Sequence, residues 1–157
     1  MKDILNMKGR YIVEALQNGE CIGRWIFPNT LTIINQTIRQ QMLLGTYQGA
    51  LNAIQIKYFA FGDGTKAPTP NDTKLENELY RKQITRISTS GLGTVTSTVS
   101  LGAQEANFLI REIGVFCGPE AKSDANTGTL LSRVAVNIDK NSNLVLNVTR
   151  QDICNIS

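Results

Sequence analysis

Turn residues recur along the whole chain and cap the length of every regular element it can form. Gln17-Asn18-Gly19-Glu20, Pro28-Asn29-Thr30, Gly62-Asp63-Gly64, Pro68 with Pro70, and Ser90-Gly91-Leu92-Gly93 each interrupt a run of apolar or β-branched residues. Further breaks fall at 102–106, 118–128 and 139–143. Asn-Gly readily takes up positive φ and signals a hairpin, and proline forces an extended, irregular path. What lies between the breaks is short. Runs at 11–16, 21–27, 54–61, 81–89, 94–101, 107–117, 129–138 and 144–150 have strand character.

One stretch differs. Leu31, Ile34, Ile38 and Met42 recur at spacings of three and four, which predicts a helix over about 30–44 with its stripe packed on a sheet. Asn29 or Thr30 can cap it, and Gly45 can end it. Residues 75–80 suggest one helical turn. No βαβ alternation is present, so a nucleotide-binding α/β fold is not expected. The reading is mainly β: an antiparallel β-sandwich of about seven or eight strands with one packed helix. Residues 1–157 are expected to form a single β-rich domain with an N-terminal hairpin at 10–27. In that hairpin, strict alternation puts Cys21, Gly23, Trp25 and Phe27 on one face and Ile22 with Ile26 on the other. In 107–117 both faces are largely apolar, which marks a central strand.

Composition narrows the function classes. The 157 residues are 41% hydrophobic but only 18% charged, and Thr, Asn, Ser and Gln make up the difference. Lys and Arg number 16 against 13 Asp and Glu, scattered without a basic run. Neither nucleic acid nor an acidic membrane is expected as a partner. There is no histidine, so a Ser/His/Asp or Cys/His mechanism cannot be assembled within the chain. Cys21, Cys117 and Cys154 lack metal-site spacing, and an odd number argues against a closed disulfide framework. They read as free, mostly buried thiols. The start has no signal-peptide core, and no apolar run is long enough to span a membrane.

Two constellations could carry chemistry. Gly62-Asp63-Gly64-Thr65 lacks the Gly-Lys-Ser/Thr ending of a phosphate loop and the alternating ligands and closing Glu of an EF-hand. It reads as a tight turn in which the glycines supply positive φ and Asp63 bonds nearby N–H groups. The second group is Glu76, Glu78, Arg81, Arg111 and Glu112, of which the last four are the candidate ion-pair or interface residues. Glu78 and Arg81 stand at i, i+3 and can pair. Arg111 and Glu112 are adjacent in an apolar strand, so one faces solvent and the other needs a partner. An ion pair fixing strand register or a subunit contact fits these four better than acid–base catalysis. No cofactor or metal is expected.

The motifs together resemble the phage tail-collar fibre proteins and related tail and baseplate proteins. Asn29-Thr30-Leu31-Thr32 is similar to their helix entry. Phe59-Ala60-Phe61-Gly62-Asp63-Gly64-Thr65, Ala67-Pro68-Thr69-Pro70 and the run from Asp72 to Glu78 are similar to their Gly-Asp-Gly-Thr segment, continued by Tyr80-Arg81. Glu105-Ala106-Asn107-Phe108, the run from Ile110 to Phe116, Gly128 to Arg133, and Lys140 resemble later positions. The likeness extends over about 10–150. It implies a bacteriophage virion structural protein, made in the host cytoplasm and placed in the tail, baseplate or collar. Such a protein would act as an assembly or fibre-attachment subunit. The implied partners are other tail, baseplate and collar proteins and further copies of the chain in a trimer or ring. Because the sequence stops at Ser157 without a shaft or head, a stand-alone collar, baseplate or adaptor subunit is the expectation. The alternative is a receptor- or carbohydrate-binding module using the loops at 63–74 and 118–128.

Overall fold

Asn18 and Gly19 take φ of 52° and 84°, the left-handed pair that a two-residue hairpin loop demands. They join β1 (Leu5–Gln17) to β2 (Glu20–Pro28) in a computed structural model of the chain. The structure describes residues 5–156 apart from 51, 90 and 92, with side chains from residue 8 to 153 apart from those three, 35 and 43. After β2 come β3 (Thr30–Leu31), α1 (Ile33–Leu44), β4 (Ile56–Gly62), β5 (Glu78–Gln83) and β6 (Arg86–Thr89). β7 (Thr94–Leu101), β8 (Leu109–Cys117), β9 (Thr129–Asp139) and β10 (Val145–Ile156) follow.

The strands make two five-stranded antiparallel sheets, ordered β2-β1-β10-β7-β6 and β3-β9-β8-β4-β5. Alternation sorts their side chains. Tyr11, Val13 and Ala15 of β1, Val99 and Leu101 of β7, and Leu146 and Val148 of β10 meet Phe59, Phe61, Ile113 and Val115 of the second sheet in one core. Each of the buried phenylalanines contributes about 1.5–3 kcal/mol by leaving water. The expected β-sandwich is therefore what forms, with ten strands rather than seven or eight. Two additions account for the difference. The run at 81–89 splits, because the Ile84 N–H donates to the Lys57 carbonyl in the second sheet and the Thr85 N–H to the Thr98 carbonyl in the first, both at 2.9 Å. Thr30 and Leu31, expected at the helix start, pair instead with Arg133 and Ser132.

The helix is shorter and differently placed than its stripe suggests. It starts at Ile33, whose N–H donates to the Pro70 carbonyl at 2.8 Å. The Thr32 hydroxyl, just ahead of the helix, donates to the Leu130 carbonyl at 2.7 Å. Gly45, at φ 69°, closes it, and the Thr46 N–H returns to the Gln41 carbonyl. Ile38 and Met42 are half-buried, but Ile33, Ile34 and Leu44 are 51%, 46% and 67% exposed. The helix touches the second sheet at β9, and Ile38 lines a small cavity with Cys117 and Thr129, so only part of the stripe is covered.

Local irregularities also re-aim side chains. Ala15 faces Gly23 but Leu16 faces Cys21, which leaves Ile22 as an extra residue in β2. Cross-strand partners share a face, so this bulge moves Cys21 to the side of Leu16, away from Trp25. Cys21 is exposed and Cys117 buried; the Cys154 thiol lies outside the described side chains. The expected helical turn at 75–80 does not form. β5 already begins at Glu78, Leu75 is buried, and Leu79 is exposed.

Candidate functional site

The outer face of the second sheet carries the residues that the sequence singles out. Ala60, Phe116 and Leu130 project there, and Leu75 from the loop at 63–77 and Ala121 from the loop at 118–128 close over them as a second small core. Two buried charge clusters then fasten the loops, one to each side.

Glu112 anchors the first. Its side chain is 1% exposed. The carboxylate accepts from the backbone N–H groups of Gly64 (3.2 Å), Glu76 (3.0 Å) and Asn77 (2.8 Å), and from Arg133 Nε at 2.8 Å. Arg133 in turn donates to Asp72 Oδ2 at 2.7 Å and to the Lys66 carbonyl at 2.8 Å. Burial by itself would raise the Asp72 carboxyl, but donation from Thr69 and Arg133 outweighs it and holds the group below its ordinary value. Asp63 accepts from Asn77 Nδ2 at 2.6 Å. A polar groove of about 330 Å³ lies above this cluster, lined by Lys66, Asp72, Lys74 and Arg133 among others.

The glycines of the 62–65 turn serve this arrangement in a way the sequence did not indicate. Neither Gly62 nor Gly64 has positive φ. A Cβ on Gly62 would lie 2.2 Å from the Asn77 carbonyl oxygen, and one on Gly64 would lie 2.4 Å from Glu112 Oε1. The requirement is close approach of the backbone to a buried carboxylate.

Glu78 and Arg81 form the second cluster. Arg81 Nη2 donates to Glu78 Oε2 at 2.9 Å, and Nη1 donates to the carbonyls of Lys122 and Thr127 at 2.9 and 3.0 Å. The Asn126 N–H donates to Glu78 Oε2 at 2.9 Å. The guanidinium stacks 4.4 Å from the Phe116 ring centre and 5.7 Å from that of Tyr58. Arg111 joins neither cluster. It is the single β8 residue opposite a bulge in β9, where Val136 and Asn137 span the same interval, and it is exposed. That bulge also returns Ile110 to the inner core, where unbroken alternation would place it beside Glu112.

Sequence reasoning passed over several charged residues that the fold buries. Arg133 and Arg150 sit at apolar strand positions in runs otherwise read for their leucines and valines, and that interruption was the available signal. Glu105 accepts from Tyr80 Oη and the Gly102 N–H, both at 2.7 Å, and pairs with Lys82. Lys82 and the Gly102 N–H hold its carboxyl down at about 2. Burial lowers Lys140, whose ammonium donates to Asn107 Oδ1 and the Asn141 carbonyl. Among the described residues no group of three His, Cys, Asp or Glu side chains could hold a metal ion. No helix there is long and apolar enough to cross a membrane.

The loops and pairs just described lie largely within one stretch of the sequence. The sequence model described as phage tail-collar fibre protein, N-terminal, matches residues 30–122. The chain belongs to that family. The match takes in α1, the 62–77 loop, Glu78, Arg81 and Glu112, and leaves the β1–β2 hairpin and β9–β10 outside it. No curated protein and no solved structure matches the chain. Membership of the tail-collar fibre family makes it a phage tail structural protein, located in the virion tail and interacting with other tail proteins.

Proposed function

We propose that this chain is an assembly or fibre-attachment subunit of the tail, baseplate or collar, acting as a homo-oligomer, either a trimer or a ring. One observation carries the reading. A 12-residue helix contains a single charged residue, Arg39, and presents Ile33, Ile34 and Leu44 outward. A surface helix ordinarily turns charged residues to water, and clustered exposed apolar side chains mark interaction surfaces. Ile22 and Ile26 on edge strand β2 add a second such surface. The stapled loops supply rigid connections between strands and leave no side chain in the Glu112 or Glu78 cluster uncommitted for acid–base work.

The test is sedimentation of the purified chain together with mass spectrometry of purified virions. Oligomers and virion incorporation are expected. A strictly monomeric protein absent from virions overturns the proposal. Replacing Ile34 and Leu44 by Gln is expected to weaken self-association or tail incorporation. Subunit stability should change by no more than about 0.5 kcal/mol, as for other surface substitutions.

A further inference from the structure

Lys140 follows β9 and stands beside the exposed turn at 141–143, yet it is only 1% exposed. Lysine is almost never fully buried unless it is paired, and its head ordinarily reaches back to water. Glu105, whose charge acts on Lys140, is paired with Lys82 instead. The Lys140 Nζ donates to Asn107 Oδ1 and to the Asn141 carbonyl, both at 2.9 Å.

The Asn107 carboxamide is held from its other end. Its Nδ2 donates to the Ala103 carbonyl at 2.9 Å, which turns Oδ1 toward the amine. The backbone keeps the two residues side by side. Leu109 and Asp139 form the last pair of the β8–β9 ladder, and just beyond it the Lys140 N–H donates to the Phe108 carbonyl at 3.2 Å. A nitrogen 2.9 Å from a carboxamide oxygen reaches the adjoining carbon by a small rotation of its side chain, and an amine held that close reacts as though highly concentrated. Burial lowers the Lys140 ammonium against the opposing field of Glu105, and the neutral amine is the nucleophilic form. Glu105 is itself fixed by Tyr80 Oη, the Gly102 N–H and Lys82.

We infer that Lys140 and Asn107 join in an intramolecular isopeptide bond once the chain has folded. The Lys140 ammonium gives one proton to solvent, and the neutral Nζ attacks Asn107 Cγ. As the Nζ–Cγ bond forms, the electron pair of the carbonyl π bond moves to Oδ1. A second proton passes from Nζ to Nδ2, the carbonyl re-forms, the Cγ–Nδ2 bond breaks and ammonia leaves. Ammonia then takes up a proton from solvent in place of the one first released, so no further reactant is consumed. The Glu105 carboxylate stabilises the positive charge that Nζ carries in the intermediate. Asn107 is exposed, which gives the ammonia a path to water. The bond closes a covalent loop over 107–140 and ties the segment entering β8 to the end of β9, within one chain and independently of any partner.

The experiment is mass spectrometry of the folded full chain, intact and after trypsin. The intact chain is expected to weigh about 17 Da less than its sequence requires, the mass of one ammonia. Trypsin is expected to spare the peptide bond after Lys140 and to release residues 87–111 and 134–150 as one branched peptide. Lys140→Arg, which keeps the charge, is expected to show its full sequence mass and to be cut after position 140. An intact mass without the loss, a loss with no branched peptide, or a loss that persists in Lys140→Arg each overturns the inference. The digest of the natural chain decides the matter even where Lys140→Arg fails to fold.

Discussion

Glu112 and Arg133 are both about 2% exposed or less, and a buried pair of this kind stabilises only if every remaining donor and acceptor is met. Here they are met by three backbone N–H groups on one side and by Asp72 with the Lys66 carbonyl on the other. Glu112→Leu removes the acceptor for all of these N–H groups as well as the ion pair. The expected loss is on the order of 3–5 kcal/mol, read by equilibrium urea unfolding. A loss under about 1 kcal/mol would show that the carboxylate is not what holds the loop. Glu105 gives a pH-dependent counterpart. Its folded carboxyl is held at about 2, below its ordinary 4.5, chiefly by Lys82 and the Gly102 N–H. A depressed carboxyl contributes stability that is present above 4.5 and lost as pH falls to about 2. The difference in Tm between the natural chain and Glu105→Gln is therefore expected to be largest near neutrality and to shrink across that window. A difference that stays constant with pH would rule the pair out as its cause. Of these residues Glu112 was legible as one of two adjacent strand charges, Arg111 being the other, of which one needs a partner. Its partner was not, because Arg133 lies on a different strand and only the β8–β9 register places it there.

At the scale of elements, what was readable depended on how local the deciding interactions are. The Asn18-Gly19 hairpin and the Gly45 stop follow from backbone conformations that those residues favour by themselves. The bulges at Ile22 and opposite Arg111 do not, because an extra residue in one strand is defined only against its neighbour. The split of 81–89 is similar: its residues all suit a strand, and the choice of sheet at Ile84 and Thr85 is made by Lys57 and Thr98. The loop at 63–77 depends on one apolar anchor. Leu75 is buried with Ala60, Phe116, Ala121 and Leu130. Leu75→Ala is expected to cost on the order of 2–5 kcal/mol. Amide exchange over 63–77 should rise more than in the hairpin at 5–28. Uniform loosening, or none, would mean that the Glu112 contacts alone secure the loop.

For the whole molecule, the exposed apolar face of α1 and the Ile22 and Ile26 side chains of β2 are apolar surfaces that its own fold leaves uncovered. An electron-microscopy map of the particle with this chain assigned is expected to show α1 against a neighbouring subunit. A particle in which α1 faces solvent in every copy would remove the main support for assembly through it. The sequence alone determined the mainly β class, because turn residues limit element length and strand runs alternate with period two. It also determined the tail-fibre likeness, which rests on short motifs legible without coordinates. The tertiary structure decided which face each residue joins, which charges meet, and which apolar side chains remain outside. Those outcomes depend on strand register, and register is set by cross-strand pairing between residues as far apart in sequence as Tyr11 and Arg150.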